Sequence, residues 1–169
     1  MSEPPYEIER KFLIRYPSHE LLGGCGDITD IVQTYLVSPE KGVSERVRAR
    51  QARSGQTVYT HTLKKHISDL RREEYENEIT AEEYSTLLRR ADPWKNVIRK
   101  TRCVLSYRGQ SFEIDVYPFW FDRAIMELEL TDEAQSIDFP PEIEIIREVT
   151  SDKRYTNNSL ATLVPFDEI

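Results

Sequence analysis

The sequence predicts an α+β, mainly β fold, built as an antiparallel barrel or strongly curved sheet with a few helices outside it. Seven short stretches place a charged residue at every second position, the period at which side chains of an extended strand share one face. The strand-like runs are short and near-regular in spacing, and turn-forming residues separate them. Helical spacing is confined to a few short segments, so helices are too few to form a layer of their own.

The elements follow in chain order. Residues 7–14 alternate as a first strand, 17–22 form a short helix, and Gly23-Gly24-Cys25-Gly26 breaks it. Residues 27–37 resume the strand pattern with Gln33 and Tyr35 on one face, and 39–42 form a turn. Residues 44–53 and 57–65 flank Ser54-Gly55-Gln56, a hairpin loop with glycine in reach of a bulge. Thr80 followed by Glu83, then Leu87, Leu88 and Ala91, reads as a capped helix ending before Asp92-Pro93. Strands at 97–107 and 111–117 join across Arg108-Gly109-Gln110. Further strands lie at 125–130 and 142–150, and 159–164 form a closing helix.

At 169 residues the chain is long enough for one domain, taken as 1–169, with a real core. A hydrophobic share of 38% and a charged share of 31% exclude a disordered chain and a helical membrane protein. A formal net charge of −7 sets the overall field against nucleic acid and anionic membrane, so an anionic ligand requires a local cationic site. Cys25 and Cys103 show neither a disulfide framework nor a zinc spacing, and no apolar leader is visible; a cytoplasmic protein with reduced thiols is expected. His19, His61 and His66 are scattered and read as surface or strand histidines.

The alternating stretches carry the chemistry. They are Glu7-Ile-Glu9-Arg-Lys11, Arg46-Val-Arg48-Ala-Arg50, Thr62-Leu-Lys64, Arg72-Glu-Glu74-Tyr-Glu76-Asn-Glu78, Lys100-Thr-Arg102, Glu113-Ile-Asp115 and Glu127-Leu-Glu129. One such strand by itself is a solvated sheet face. Here acids and bases are segregated by strand, and the opposite faces (Ile8 and Phe12, Val47 and Ala49, Ile114 and Val116, Met126, Leu128 and Leu130) are apolar enough to bury. The charged faces must then meet one another. In a dry interior each ion costs several kcal/mol, so water, metal or ligand has to fill the space. An eight-stranded closed sheet has room for one small ligand. Arginine forks bind phosphate bidentately, lysines act as point charges, and carboxylates suit hard cations such as Mg2+ or Mn2+.

The opening Tyr-Glu-Ile-Glu-Arg-Lys-Phe-Leu resembles the E-x-E-x-K signature of the CYTH domain, the triphosphate tunnel metalloenzyme superfamily. The later motifs follow in the same order (R-x-R, T-x-K, R-x-E-x-E, K-x-R, E-x-D, E-x-E, then Asp152-Lys-Arg-Tyr-Thr-Asn), covering about residues 6–163. The resemblance implies an eight-stranded antiparallel closed barrel, a tunnel, that binds a triphosphate lengthwise with Mg2+ or Mn2+. Carried over by position, Glu7, Glu9, Glu127 and Glu129 hold metal, and Lys11, Arg46, Arg48, Lys64, Lys100 and Arg102 hold phosphate. Glu74, Glu76, Glu113 and Asp115 complete the acidic wall as catalytic groups that assist a second metal or the attacking water. Arg50, Arg72 and Glu78 share the inward parity and either join the site, cap the tunnel or are solvated.

The chain departs from the family pattern in three places. Pro118-Phe-Trp-Phe-Asp122 stands where glycines are usual, Arg147 where a glycine often precedes E-V-T, and Lys65 where one follows T-x-K. Phe119, Trp120 and Phe121 either stack on an organic head group or pack as a hydrophobic loop, on the barrel or at an oligomer contact such as a homodimer. The expected function is hydrolysis of inorganic triphosphate. The alternatives are a nucleoside or thiamine triphosphatase, a class IV adenylate cyclase, and, from another class, a non-catalytic module binding polyphosphate or a phosphometabolite.

Overall fold

The computed structural model describes residues 6–38 and 40–169; residues 1–5 and Pro39, at the start of the expected turn, lie outside the described residues. Among the described residues nine strands form: β1 (Tyr6–Arg15), β2 (Asp27–Tyr35), β3 (Val43–Ala52), β4 (Thr57–His66), β5 (Arg71–Ile79), β6 (Ile98–Tyr107), β7 (Gln110–Val116), β8 (Arg123–Leu130) and β9 (Ile145–Glu148). They pair in the order β5-β4-β3-β2-β6-β7-β8-β1-β9, and β1 also pairs with β5. That last pairing closes eight strands into an antiparallel barrel and leaves β9 outside as an extension along the second half of β1.

Turn chemistry fixes the hairpin registers. Gly55, at φ +90°, supplies the left-handed step between β3 and β4. Between β6 and β7 the loop is two residues rather than three, because Tyr107 already pairs with Gln110. Arg108 and Gly109 both adopt positive φ, the combination a tight hairpin needs to match the strand twist.

Three short helices pack outside. α1 (His19–Gly23) is capped by Ser18, and α2 (Ala81–Leu87) carries the expected Thr80–Glu83 capping box and continues as a 3-10 turn over Leu88–Arg90. The expected helix at 159–164 is instead α3 (Asn157–Leu160). Thr156 starts it early by accepting a hydrogen bond from the Ser159 amide at 3.1 Å.

The barrel is inverted, with ions inside and much of the core outside. Phe12, Ile14, Phe112, Ile114, Met126, Leu128 and Leu130 face outward from β1, β7 and β8, and Leu21, Leu22, Ile137, Phe139 and Ile143 cover them. Burying each such side chain contributes roughly 1.5–3 kcal/mol, which offsets the cost of holding ions within the sheet. A second cluster (Leu13, Tyr35, Ile98, Tyr117, Trp120, Ile125, Val149, Tyr155, Leu160 and Ala161) fills one end of the barrel. Trp120 is therefore core, with its indole N–H donated to the Pro165 carbonyl at 3.0 Å, whereas Phe121 is 88% exposed.

One expectation is corrected. Cys25 and Cys103 are joined by a disulfide, with Cα atoms 5.9 Å apart, that ties the segment after α1 to the outer face of β6. Cysteine spacing carries no sign of it, because the pair is brought together only by the β2–β6 contact. With the cysteines 78 positions apart in sequence, loop-closure entropy predicts a contribution of about 4–5 kcal/mol. Reduction with a dithiol is therefore expected to lower Tm clearly while leaving KM alone, since the bond faces away from the lumen. Identical melts of reduced and oxidised protein would overturn the cross-link.

Candidate active site

The register of the ladders decides which side chains share the lumen. Glu9 lies opposite Glu129 and Lys11 opposite Glu127; Glu127 lies opposite Glu113 and Arg102 opposite Asp115. Around the other half Gln33 pairs with Arg48, Tyr35 with Arg46, Lys64 with Glu74, and Arg72 with Glu7. Side-chain direction alternates along each strand, so these pairs turn all seven charged motifs to one side of the closed sheet. They surround a cavity of about 700 Å³ lined by fifteen of the seventeen candidate residues. The other two are Asp115 and Glu78, the latter exposed on β5.

Asp115 is fully buried beneath the wall. One carboxylate oxygen accepts from Lys100 Nζ at 2.6 Å and from Arg102 Nη2 at 2.7 Å, and the other accepts from Arg102 Nε at 2.7 Å. Burial alone raises a carboxyl pKa, but Lys100 and Arg102 together hold Asp115 below its ordinary value. Its expected place on the catalytic wall is thus replaced by one behind it, because the β6–β7 register seats it directly under two cations. Burial, helped by repulsion from Arg102, pushes Lys100 down to about 8 despite Asp115.

The remaining cations are braced by carboxylates across the lumen. Lys11 Nζ lies 3.1 Å from Glu127, and Lys64 Nζ 2.9 Å from Glu7 and 2.8 Å from Glu74. Arg48 reaches Glu76 at 2.7 Å, and Arg102 reaches Glu113 at 2.5 Å and Glu127 at 3.3 Å. Arg72 stands 3.4 Å from Glu9. Burial and the neighbouring Arg46 lower Arg48 to about 10. The Nε donors of both Arg46 and Arg48 are buried with no hydrogen-bond partner among the described residues, an arrangement that an anion in the cavity would satisfy.

The four carboxylates expected to hold metal divide into two kinds. Burial would raise Glu127, but Lys11, Arg102 and Lys100 hold it well below the carboxylate range, so it is ionised and paired with Lys11 and Arg102. Burial raises Glu129, and repulsion from Glu7 raises it further. Burial and a carboxyl–carboxyl hydrogen bond with Glu74 likewise raise Glu7. Among the described residues no three His, Cys, Asp or Glu side chains already form a closed cage. Glu7, Glu9, Glu74 and Glu129 nevertheless line the lumen as hard oxygen donors of the kind that suits a divalent cation, with Lys64 beside Glu7 and Glu74 and Arg72 beside Glu9.

Sequence reasoning left several lining residues unassigned: Tyr35, whose hydroxyl accepts from Gln33 Nε2 at 2.7 Å, and Lys95, Lys153, Asn157 and Asn158. The inward parity of Tyr35 was visible on β2. The others come from loops and from α3, where no alternation exists to reveal them.

A closed antiparallel barrel with apolar residues outside and opposed rows of cations and carboxylates inside defines a charged-tunnel protein built to surround a compact polyanion. The chain belongs to the CYTH domain family, whose model matches residues 5–162. It is 33% identical over 162 residues to an inorganic triphosphatase of Nitrosomonas europaea, covering 94% of this chain and 99% of that protein. A crystal structure of an inorganic triphosphatase superposes with a TM-score of 0.57 at 31% identity, over 94% of this chain and 99% of that one. A protein of Pyrococcus horikoshii shares the fold at 20% identity and a TM-score of 0.53, covering 75% of this chain and 80% of its own. Among the described residues no helix is long and apolar enough to cross a membrane.

Proposed function

We propose that the protein is a metal-dependent triphosphatase that hydrolyses inorganic triphosphate to pyrophosphate and phosphate within the barrel. The observation that carries this is the set of six lumen cations (Lys11, Arg46, Arg48, Lys64, Lys100 and Arg102) facing carboxylates inside one closed sheet. The relatives named as inorganic triphosphatases support it.

The six cations bind and orient the phosphoryl oxygens, with Arg46 and Arg48 offering their unpartnered Nε donors and Arg50 and Arg72 flanking them. Glu7, Glu9 and Glu129 would hold Mg2+ or Mn2+, with Glu127 joining them where substrate takes over its contact to Lys11. When bound, the cation polarises the phosphoryl group and neutralises developing charge. Glu113, raised by burial and facing the lumen, is the carboxylate best suited to accept a proton from water, and Glu74 and Glu76 complete that wall. Asp115 positions Lys100 and Arg102 from behind. We assign the enzyme no nucleic-acid or membrane partner, and take exposed Phe121 as the contact of a homodimer.

Purified protein is expected to release phosphate from tripolyphosphate much faster than from pyrophosphate, and only with Mg2+ or Mn2+. ATP and thiamine triphosphate, assayed in parallel with an EDTA control, test the alternative triphosphatases. Formation of cyclic AMP from ATP would replace this function by a cyclase, and tight binding without turnover would leave a binding module. Equal or faster cleavage of pyrophosphate would overturn the triphosphatase reading.

A further inference from the structure

Two lysines line the cavity from outside the strands. Lys95 lies in the turn leading into β6, and Lys153 opens the 3-10 segment before α3. Seven of the eight strand cations of the lumen (Lys11, Arg46, Arg48, Lys64, Arg72, Lys100 and Arg102) each have a carboxylate within 4.0 Å, and the eighth, Arg50, lies at the far mouth. Among the described residues, neither Lys95 nor Lys153 has one. Lys95 is half-buried and held in place, its Nζ donating to the Asn158 carbonyl at 3.1 Å while the Asn96 amide donates to the Ala161 carbonyl at 2.7 Å. The side-chain oxygen of Asn158, on the same rim, is buried without a partner.

The register places this rim at one end of the lumen. Followed strand by strand, that end carries Leu13, Ile125, Tyr117, Ile98 and Tyr35 on one side and Ser44, His66 and Arg72 on the other. The aromatic and aliphatic half is sealed by α3, and the polar half is bordered by Lys95, Lys153 and Asn157. Asp69 is the acid on this border, and it stands 4.0 Å from His66. The opposite mouth ends in Glu76, Glu113 and Glu129 with Arg50. The lumen is therefore electrically polar from mouth to mouth.

We infer that Lys95 and Lys153 form a rim subsite for the free terminal phosphate of a linear inorganic polyphosphate, and so select inorganic over esterified triphosphates. This rests on the triphosphatase function proposed above. The phosphoryl group at the trailing end of inorganic triphosphate has two ionisable oxygens. In a nucleoside or thiamine triphosphate that phosphoryl is an ester with one negative charge, followed by a group that neither ammonium can bind. Two uncompensated cations distinguish these ligands by charge, with no contact to a base or ring required.

The test compares wild type with the Lys95→Gln/Lys153→Gln double variant on tripolyphosphate and ATP, with Lys65→Gln on the outer face as a control for lost positive charge. Removing two partly exposed phosphate contacts is expected to raise KM for tripolyphosphate roughly tenfold. It should leave kcat and the kcat/KM for ATP nearly unchanged and flatten the dependence of KM on salt. The Lys95→Arg/Lys153→Arg variant should restore discrimination. Equal losses on both substrates, or no loss on either, would overturn the subsite. If wild type cleaves no tripolyphosphate, the proposed function falls, and calorimetry then decides the rim by itself. A preference for tripolyphosphate over ATP that disappears in the double variant supports it, and unchanged relative affinities refute it.

Discussion

Asp115→Ala is expected to destabilise the protein by about 3–5 kcal/mol, the penalty for leaving buried cations without their partner. Lys100 and Arg102 both turn on this carboxylate, and each is almost wholly removed from solvent. For a chain of this size the loss corresponds to a fall in Tm of roughly 10 °C. Because Asp115 is held below its ordinary 3.8 in the folded protein, its contribution is complete above that value and is lost as pH falls through the depressed one. The acid limb of the stability curve should therefore be shallower in the variant. Tripolyphosphate, which brings negative charge to the same two cations, should recover more Tm in Asp115→Ala than in wild type. Melts across pH, with and without tripolyphosphate, check all three points. A variant as stable as wild type would remove Asp115 from this role.

Glu129→Gln and Glu7→Gln are expected to lower activity by orders of magnitude at limiting metal, with partial rescue by excess Mn2+. Each change preserves shape but removes a charge needed to hold a hard cation. Without metal the same variants should be as stable as wild type or more so. Burial and like charge raise both carboxyls above their ordinary 4.5. Wild type therefore loses stability as pH rises from 4.5 through the raised values, and the glutamine variants should not. Glu127→Gln should behave in the opposite way, costing stability because Lys11 and Arg102 lose their partner. Thermal melts with and without Mn2+ separate the two kinds. Full activity at limiting metal, with an unchanged metal-induced rise in Tm, would withdraw Glu7 and Glu129 from the metal site.

Much of this site was legible before any coordinates, because a strand converts sequence spacing directly into direction. Glu7, Glu9 and Lys11 share a face wherever β1 lies, and the same holds for Arg46 with Arg48 and for Lys100 with Arg102. Parity says nothing about depth. Asp115 and Glu113 have the same parity on β7, yet one is sealed under the wall and the other faces the cavity. Leu13 and Ile125 also share the inward parity, and they seal an end of the lumen rather than line a site.

The sequence by itself determined the strands, the inward rows of opposite charge, the capped helix after Thr80 and the family, since each depends on local backbone geometry or on motif order. Only the tertiary structure decided what depends on contacts between distant segments. The β1–β5 pairing closes the barrel, β2 beside β6 brings Cys25 to Cys103, and α3 joins Ile98 and Tyr35 in the apolar cluster that closes half of one mouth. The split among Glu7, Glu127 and Glu129 belongs to the same category. Burial and the nearest charge set a carboxylate's behaviour, and both are properties of the closed sheet that no single strand carries.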